Sequence, residues 1–310
     1  MNTTPPATSL YNPKETPMQE RQLKIWDVRQ HPGDSGFLLD DGRTAVLYDS
    51  GFGFTGPALA QAVAQILGPR PLDLILLTHS HYDHALGAAH VQARWPGAKI
   101  AAGRRVGEIF ARPRALGHME EMDREIARHC GAAPAPAAAP LKVDIPLEEG
   151  DTVAAGEMEF RFVTLPGHTH CSGGFYMPRR GLLLACETLG VYDGGEIVFP
   201  SFLVGYGLTL RAMEKAAALG ARQLLLPHYG PLPPEKTAWF FEESLRTTTL
   251  TARQVGRILA GGGSREEALA WFEDTFYKGN VPAFYPRRAM LLNTGLMVDL
   301  IRREVLGQEP

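Results

Sequence analysis

The residues of this sequence that are best suited to chemistry lie in one stretch, LDLILLTHSHYDH, residues 72–84. Its second half contains four side chains that can bind a metal ion: His79, His81, Asp83 and His84. Imidazole and carboxylate ligands at this density suit a borderline divalent metal such as zinc, and also iron or manganese. A polar loop would seldom contain H-x-H-x-D-H directly after an apolar run by chance. We therefore predict a metal site here.

The elements that would position these ligands are strands that stop where a ligand begins. The apolar run Leu74–Leu77 before the motif has the length and composition of a buried strand. Three later apolar runs each end at a single ligand type: TLPGHTHCS at His168, LLLACE at Glu187 and LLLPHYG at His228. We predict that these four strand ends contribute to one site.

Composition narrows the class of protein. A chain of 310 residues can form one large domain or two small ones, and 45% hydrophobic residues suffice for a full core. The formal net charge of -3 offers no basic field for nucleic acid and no cationic face for anionic lipid. No stretch approaches the roughly 18 consecutive apolar residues of a membrane helix. We expect neither a nucleic-acid nor a membrane partner.

Cysteine usage indicates the compartment. Three cysteines, Cys130, Cys171 and Cys186, are odd in number and have no CxxC spacing, which argues against a disulfide framework. The N-terminus has no basic region followed by an apolar run, so we do not interpret it as a signal peptide. A cytoplasmic location is the expectation.

The pattern along the chain predicts an α+β protein with a helical C-terminal part. Residues 1–21 are read as an irregular arm. A hairpin is expected at residues 40–42, helices at residues 57–67 and 84–95, and a helical pattern over residues 104–130 that Pro113 and Gly117 break. The Ala/Pro segment 131–140 is expected to be a surface spacer. The later helices are predicted at residues 208–219, 235–260, 264–276 and 285–306, with a capping box from Ser264 to Glu267.

The motifs HSHYDH, GHTHCS, ACETLG and PHYG, in this order, resemble the metal motifs of the metallo-β-lactamase-fold superfamily. The resemblance runs from about Gln22 to Tyr229. It implies an α+β fold of the αββα sandwich type, with two facing mixed sheets, outer helices and the metals at one edge, in residues 22–234. Residues 235–310 would then be a C-terminal helical extension packed on the same domain. In composition and position this tail is similar to the helical cap of glyoxalase II-like and quinolone-signal thioesterase-like members, which shapes a substrate tunnel.

The resemblance also implies a set of metal ligands. It assigns the ligands of a first metal to His79, His81 and His168, and those of a second metal to Asp83, His84 and His228. Glu187 falls where the family usually has a bridging aspartate; glutamate is one methylene longer, so the sequence leaves open whether it bridges both metals or binds one. Asp49 matches an aspartate that supports the site from outside the ligand set. His170 stands where the family commonly has proline, and we interpret it as a residue at the surface or behind the ligands.

These features predict a binuclear metal-dependent hydrolase that uses a metal-bound hydroxide on an ester, thioester or lactone of a small molecule. Asp83 is the predicted catalytic residue, orienting the hydroxide and moving its proton. The expected cofactors are two divalent metal ions, with zinc as the first choice and iron or manganese as alternatives. A small-molecule substrate and a homodimer are the expected partners.

The same residues leave three other functions open. A phosphodiesterase would need a positive clamp, for which only Arg104-Arg105 and Arg287-Arg288 are available. A diiron redox protein of this superfamily would have glutamate at the position of His81 and a flavodoxin domain. A weakly active signalling or binding protein on the same fold is the third alternative.

Some residues that could take part in chemistry have no predicted place in the metal site. We interpret Cys171 and Cys186 as buried apolar side chains, and Cys130 as a helical residue without a partner. The histidines with no mutual spacing typical of a site are His31, His90, His118 and His129. Tyr206 and Tyr229 could either donate a hydrogen bond to an oxyanion or take part in aromatic packing.

Overall fold

The structure, a computed structural model, describes residues 21–136 and 138–308, so nearly all of the predicted N-terminal arm lies outside the described residues. The strands are β1 Lys24–Asp27, β2 Phe37–Asp40, β3 Ala45–Tyr48, β4 Leu74–Leu77, β5 Lys99–Gly103, β6 Ile145–Leu147, β7 Thr152–Ala155, β8 Met158–Thr164, β9 Gly173–Met177, β10 Leu182–Leu184, β11 Val191–Tyr192, β12 Val198–Phe199, β13 Gln223–Leu226 and β14 Gly230–Pro231. The helices are α1 Gly56–Leu67, α2 Tyr82–Ala85, α3 Ala88–Arg94, α4 Arg104–Phe110, α5 Pro113–His129, α6 Tyr206–Ala218, α7 Thr237–Ala260, α8 Arg265–Phe276, α9 Val281–Phe284 and α10 Arg287–Glu304.

Two mixed six-stranded sheets form the centre of the fold. The first has the order β1-β2-β3-β4-β5-β6, antiparallel up to β3 and parallel from β3 to β6. The second has the order β14-β13-β10-β9-β8-β7, in which only β10 and β13 pair in parallel. The prediction of two mixed sheets with outer helices and a helical C-terminal region is confirmed.

Each buried strand contributes to two cores because alternate side chains point to opposite faces of a sheet. In β4, Leu74 and Leu76 pack between the two sheets, where they meet aromatic residues such as Phe160 of β8. Ile75 and Leu77 of the same strand point outward and pack under α1 and α3. Both faces of β4 are therefore covered, which explains why its sequence is a continuous apolar run.

The strands that carry ligands all run toward one edge. Because β8 and β9, and β9 and β10, pair antiparallel, β8 runs in the same direction as β10 and as its parallel neighbour β13. His168, Glu187 and His228 follow the C-terminal ends of these three strands. The H-x-H-x-D-H motif follows β4 in the facing sheet. The topology thus brings the four predicted strand ends together.

Two helical predictions differ from the structure. The helix expected over residues 84–95 is interrupted between α2 and α3, where Gly87 lies so close to Ser50 that an added Cβ would be 1.9 Å from the Ser50 carbonyl oxygen. The helical pattern over residues 104–130 breaks before Pro113, which starts α5, but Gly117 lies inside α5 and does not end it. Proline is favoured in a first helical turn, where its missing N–H has no intrahelical partner.

The C-terminal helices pack on the second sheet and on one another. Phe240 of α7 joins the core beneath that sheet, and α7, α8 and α10 share a further apolar core that includes Phe272 and Met297. The predicted capping box of Ser264 and Glu267 is present at the start of α8. No helix in the described parts of the chain combines the length and the apolarity needed to cross a bilayer.

The close approach at Gly87 gives a stability prediction with a matched control. Gly87→Ala should destabilise the fold by about 2 kcal/mol, because the methyl group has to displace the Ser50 backbone beside the metal-motif loop. Gly117→Ala makes the same chemical change inside α5, where nothing lies within 4 Å, and should stabilise the protein by up to ~1 kcal/mol. Urea unfolding of both variants measures the difference; equal midpoints would contradict the close packing.

Candidate metal centre

The seven predicted ligands come together in the structure as two adjoining groups. The first group consists of His79, His81, His168 and Glu187, and the second of Asp83, His84 and His228. Within each group, one ligand atom from every residue lies within 4.8 Å of those of the others. The sequence-based pairing of ligands into two sets therefore agrees with the geometry, with Glu187 as a fourth member of the first set.

Glu187 lies at the boundary between the two groups. Its Oε2 is 2.8 Å from Nε2 of His168 and 3.3 Å from Nε2 of His79, both in the first group. The same oxygen is 3.1 Å from Nε2 of His84, and Oε1 is 3.2 Å from Nε2 of His228, both in the second group. The carboxylate is therefore in reach of ligands of both groups.

The donor set fits a divalent cation. Three of its atoms, Nε2 of His79, Nε2 of His84 and Oε2 of Glu187, are buried, and none of their close contacts in the described structure has the geometry of a hydrogen bond. Leaving buried polar atoms unsatisfied is costly, and such groups are rare in folded proteins. A metal ion would satisfy lone pairs that converge in this way. Together with the fold, the cluster of histidines and carboxylates indicates divalent metal binding.

A buried aspartate orients one of the ligands. Asp49, directly after β3, has Oδ2 2.7 Å from Nδ1 of His84. The Asp49 carboxylate also accepts hydrogen bonds from the backbone N–H and hydroxyl of Thr78 and from the hydroxyl of Ser35. These bonds hold the carboxylate in place, so that it fixes the ring of His84 with Nε2 toward the cluster. Asp49 has the position that the sequence predicted for it.

Three more imidazoles are oriented through Nδ1 in the same way. The partners are the Thr78 hydroxyl at 3.0 Å for His79, the Ser201 hydroxyl at 2.8 Å for His168, and the Asp34 carbonyl oxygen at 3.1 Å for His228. Each contact leaves Nε2 available for the cluster. His81 differs, because its Nδ1 is the atom that faces the cluster, 2.9 Å from Nε2 of His168.

Backbone strain is concentrated at this site. Among the described residues, the non-glycine residues with positive φ are Asp49, at 51°, and His228, at 62°. Side chains other than glycine rarely adopt this left-handed conformation, and it costs about 1–3 kcal/mol. One of these residues orients His84 and the other is itself a ligand candidate. The surrounding fold thus maintains strain where the cluster needs exact side-chain directions.

Burial and mutual charge set the protonation of the ligands before a metal binds. Burial, and then the charge of His84, lower the pKa of His79 to about 3, so its imidazole is neutral as metal ligation requires. Burial also opposes protonation of His84, but the carboxylates of Asp83 and Asp49 outweigh it and raise its pKa well above the usual value. Burial would raise the pKa of Glu187, yet the neighbouring His168 and His84 hold it well below its usual range.

A cavity of about 350 Å³ opens directly over the cluster. Its base contains residues of both ligand groups, among them His81, Asp83 and His228. Its walls include residues of α5, and residues of α10 and of the short segment before it. A volume of this size is at the lower end of the range for small-molecule pockets.

The cavity also contains residues that the sequence did not assign to a site. His31 and His118, whose spacing in the sequence does not indicate a site, both line the cavity. Tyr82 and Tyr285 line it as well. No local spacing connects these residues, because they come from separate elements that meet only in the folded chain. The apolar spacing along α5 is the one sequence signal that could have indicated this wall.

The two tyrosines proposed as oxyanion donors pack against other aromatic rings. The ring centroids of Tyr229 and Tyr192 are 4.7 Å apart, and those of Tyr206 and Phe202 are 5.5 Å apart. Neither belongs to the cavity lining. Of the two interpretations that the sequence left open, aromatic packing is the one the structure supports.

The remaining predictions near the motifs are mostly confirmed. His170 is exposed, and Cys171 and Cys186 are buried. Burial raises the pKa of the Cys186 thiol to about 12, which makes it a poor nucleophile at neutral pH. The prediction that Cys130 has no partner is wrong: it caps the end of α5, with Sγ 3.3 Å from Nε2 of His31.

Comparison with known proteins decides the family. The sequence model of the metallo-beta-lactamase superfamily matches residues 30–228 of this chain. The chain belongs to this superfamily. A superfamily protein of Thermus thermophilus has the same fold, with a TM-score of 0.59 at 20% identity over 88% of each chain.

Two curated relatives share part of the sequence. The hydroxyacylglutathione hydrolase of Legionella pneumophila (strain Lens) is 29% identical over 129 residues, 40% of this chain and 38% of that protein. The hydroxyacylglutathione hydrolase of Gloeobacter violaceus is 30% identical over 163 residues, 51% of this chain and 49% of that protein. The chain thus spans about half or less of the length of the curated relatives it matches.

The contact between Asp49 and His84 gives a prediction on metal affinity. Asp49→Asn should weaken the binding of one divalent ion by about 10–100-fold, because His84 loses the carboxylate that fixes its ring. Asp123→Asn is the control: this buried carboxylate accepts hydrogen bonds from the backbone N–H groups of Gly53 and Phe54 and contacts no ligand. Competition with a chromogenic chelator measures both affinities; an unchanged Asp49→Asn affinity would show that the contact is not needed.

Proposed function

We propose that this protein is a binuclear metal-dependent hydrolase that acts on an ester, thioester or lactone of a small molecule. The observation that carries the proposal is the pair of adjoining ligand groups, in mutual reach through Glu187, at the base of a cavity of ligand size. Zinc is the proposed metal, with iron or manganese as alternatives, since imidazole and carboxylate ligands suit all three. The name of the curated relatives, hydroxyacylglutathione hydrolase, supports hydrolysis as the reaction class.

The ligand groups explain what chemistry such a site can perform. Two divalent ions, held by the two ligand groups, would lower the pKa of a bound water molecule and polarise the oxygen of the scissile group. Asp83 lies at the cavity base, with Oδ2 3.7 Å from Nε2 of His84 and 3.9 Å from Nε2 of His228. In the metal-free protein, burial raises the pKa of the Asp83 carboxyl above its usual value despite the nearby His84. Its position at the cavity base, beside the other ligands of the second group, suits this carboxylate to accept the proton of the attacking water and pass it to the leaving group.

The walls of the cavity assist by positioning the substrate. Residues of α5 and α10 line the same cavity as Asp83, so a small molecule bound there would contact both the helices and the ligand groups. Holding both reactants in place removes much of the entropic cost of bringing them together. Helix α10 and the segment before it therefore belong to the proposed active site as much as the motif loops do.

The phosphodiesterase alternative has less support. Its candidate clamps were two arginine pairs, and the structure gives three of these arginines carboxylate partners: Arg104 with Glu148, Arg287 with Glu273 and Arg288 with Glu125. Arg105 donates to the carbonyl of His170 at the surface. None of the four lines the cavity. A phosphate group over the ligand groups would find no arginine to bind it.

Metal analysis tests the binuclear part of the proposal. Protein expressed in metal-replete medium and dialysed against metal-free buffer should contain close to two equivalents of divalent metal per chain, measured by inductively coupled plasma mass spectrometry. Glu187→Gln should reduce this number, because it removes the carboxylate that lies near both groups. Less than one equivalent in the unaltered protein would contradict a binuclear centre.

A substrate panel tests the reaction class. Thioesters, lactones and carboxylic esters should be hydrolysed faster than phosphodiesters, and Asp83→Ala should lower kcat by at least ~100-fold, the usual scale for loss of a group that transfers protons. His170→Ala is the matched control, because this histidine lies in a ligand motif but is exposed. Unchanged hydrolysis by Asp83→Ala would mean that the activity comes from a contaminant.

A further inference from the structure

We propose that the channel between α5 and α10 binds a neutral, apolar acyl chain of the substrate, and that the protein selects such substrates over anionic glutathione thioesters. This inference rests on the proposed hydrolase function, because it names the class of substrate that the same site would take. It follows from three independent features of the cavity: the spacing of its apolar residues, their exposure, and the charges at its walls.

The two helices present apolar stripes to the cavity. Met119, Met122 and Ile126 are spaced at i, i+3 and i+7 along α5, so they lie on one helical face. Leu292 and Leu296 are spaced at i and i+4 along α10 and also lie on one face. All five line the cavity. These residues form an apolar part of the cavity, lined by α5 and α10, which we call the channel.

The exposure of the α10 stripe indicates that something apolar binds there. Leu292 is 59% exposed and Leu296 is 44% exposed, although both belong to a cavity wall. These leucines share the lining of one cavity with the apolar residues of α5, and exposed apolar patches of this kind mark ligand-binding grooves. An acyl chain in the channel would remove these leucines and its own methylene groups from water at the same time.

The charges around the cavity argue against an anionic substrate. Within the described residues, the lining contains no lysine and no arginine. Arg288, near the start of α10, forms an ion pair with Glu125. Burial lowers the pKa of His31, which keeps this cavity histidine neutral at pH 7. Away from the ligand groups, the carboxylates of a glutathione group would therefore have to leave water without a lysine or arginine partner, which is costly.

The polar groups of the α10 wall are already engaged with each other. The side-chain amide of Asn293 donates to the hydroxyl of Tyr285, and the carbonyl oxygen of Tyr285 accepts from the hydroxyl of Tyr277. These bonds hold the wall in shape and reduce its capacity to bind a charged group. The leucines beside them are then the main contact surface for a ligand.

Binding of non-hydrolysable ligands tests the channel without requiring catalysis. The probes are straight-chain methyl ketones from pentanone to undecanone, titrated into the metal-loaded full chain by isothermal titration calorimetry. The dissociation constant should fall about fourfold for each added methylene until the channel is filled, the factor that corresponds to ~0.8 kcal/mol per buried CH₂ group. Binding that does not depend on chain length would overturn the proposal.

A matched pair of variants places the binding on α10. Leu296→Gln should weaken binding of the longest ketone by about five- to tenfold, because it makes the channel wall polar. Leu245→Gln changes a leucine of α7 that is 46% exposed but does not line the cavity, and should leave binding unchanged. Equal effects of the two substitutions would contradict the channel.

Light scattering of both variants tests whether a second copy of the chain covers these leucines instead. If Leu296→Gln dissociates a dimer and leaves ketone binding unchanged, the leucines form an interface between copies and the proposal is wrong.

Hydrolysis then separates this inference from the proposed function. N-acetylcysteamine thioesters with lengthening neutral acyl chains should show rising kcat/KM and exceed hydroxyacylglutathione thioesters. A higher kcat/KM for the hydroxyacylglutathione thioesters than for every neutral substrate would overturn the inference and leave the hydrolase function intact. Length-dependent ketone binding without hydrolysis of any ester or thioester would have the opposite meaning. It would support the apolar channel and contradict the hydrolase function.

Discussion

The contacts of the Glu187 carboxylate are the interaction on which the candidate centre depends. This residue is 8% exposed, and its carboxylate lies near Nε2 of four imidazoles, contributed by loops after β4, β8 and β13. A carboxylate removed from water is expensive unless positive charge compensates it. In the metal-free protein, protonated His84 provides part of this charge, since its pKa is raised well above the usual value. A divalent cation would provide more, so burial of Glu187 is itself a driving force for metal binding.

The rest of the fold can be understood as the support for this arrangement. Two sheets must face each other with their ligand-bearing ends at one edge, since Glu187 follows a strand of one sheet and His84 a strand of the other. The backbone must also hold Asp49 and His228 at positive φ, and Gly87 must allow the loop after β4 to lie against Ser50. These local costs are sustained by the apolar cores on both faces of strands such as β4.

The ligands could be predicted from the sequence because the signal for each is local: an apolar strand that stops at a histidine or carboxylate. The strand ends and the capping box of Ser264 were found for the same reason. The interruption of the helix at Gly87 could not be predicted, because it follows from contact with Ser50, which is distant in sequence. His118 and Tyr285 were missed as cavity residues for a similar reason, since only tertiary packing brings α5 and the segment before α10 over the ligand groups.

In the proposed hydrolase, catalysis and substrate choice are carried by different parts of the chain. The stretch that matches the superfamily ends at residue 228, with the last of the ligand candidates, whereas Leu292 and Leu296 lie beyond it in α10. The metal-binding geometry tolerates little change, because four of the histidine ligands depend on partners such as Asp49 or Ser201. An exposed leucine on a helix can change with little effect on the fold. A superfamily member can therefore keep its centre and acquire a different substrate by altering the helices that cover it.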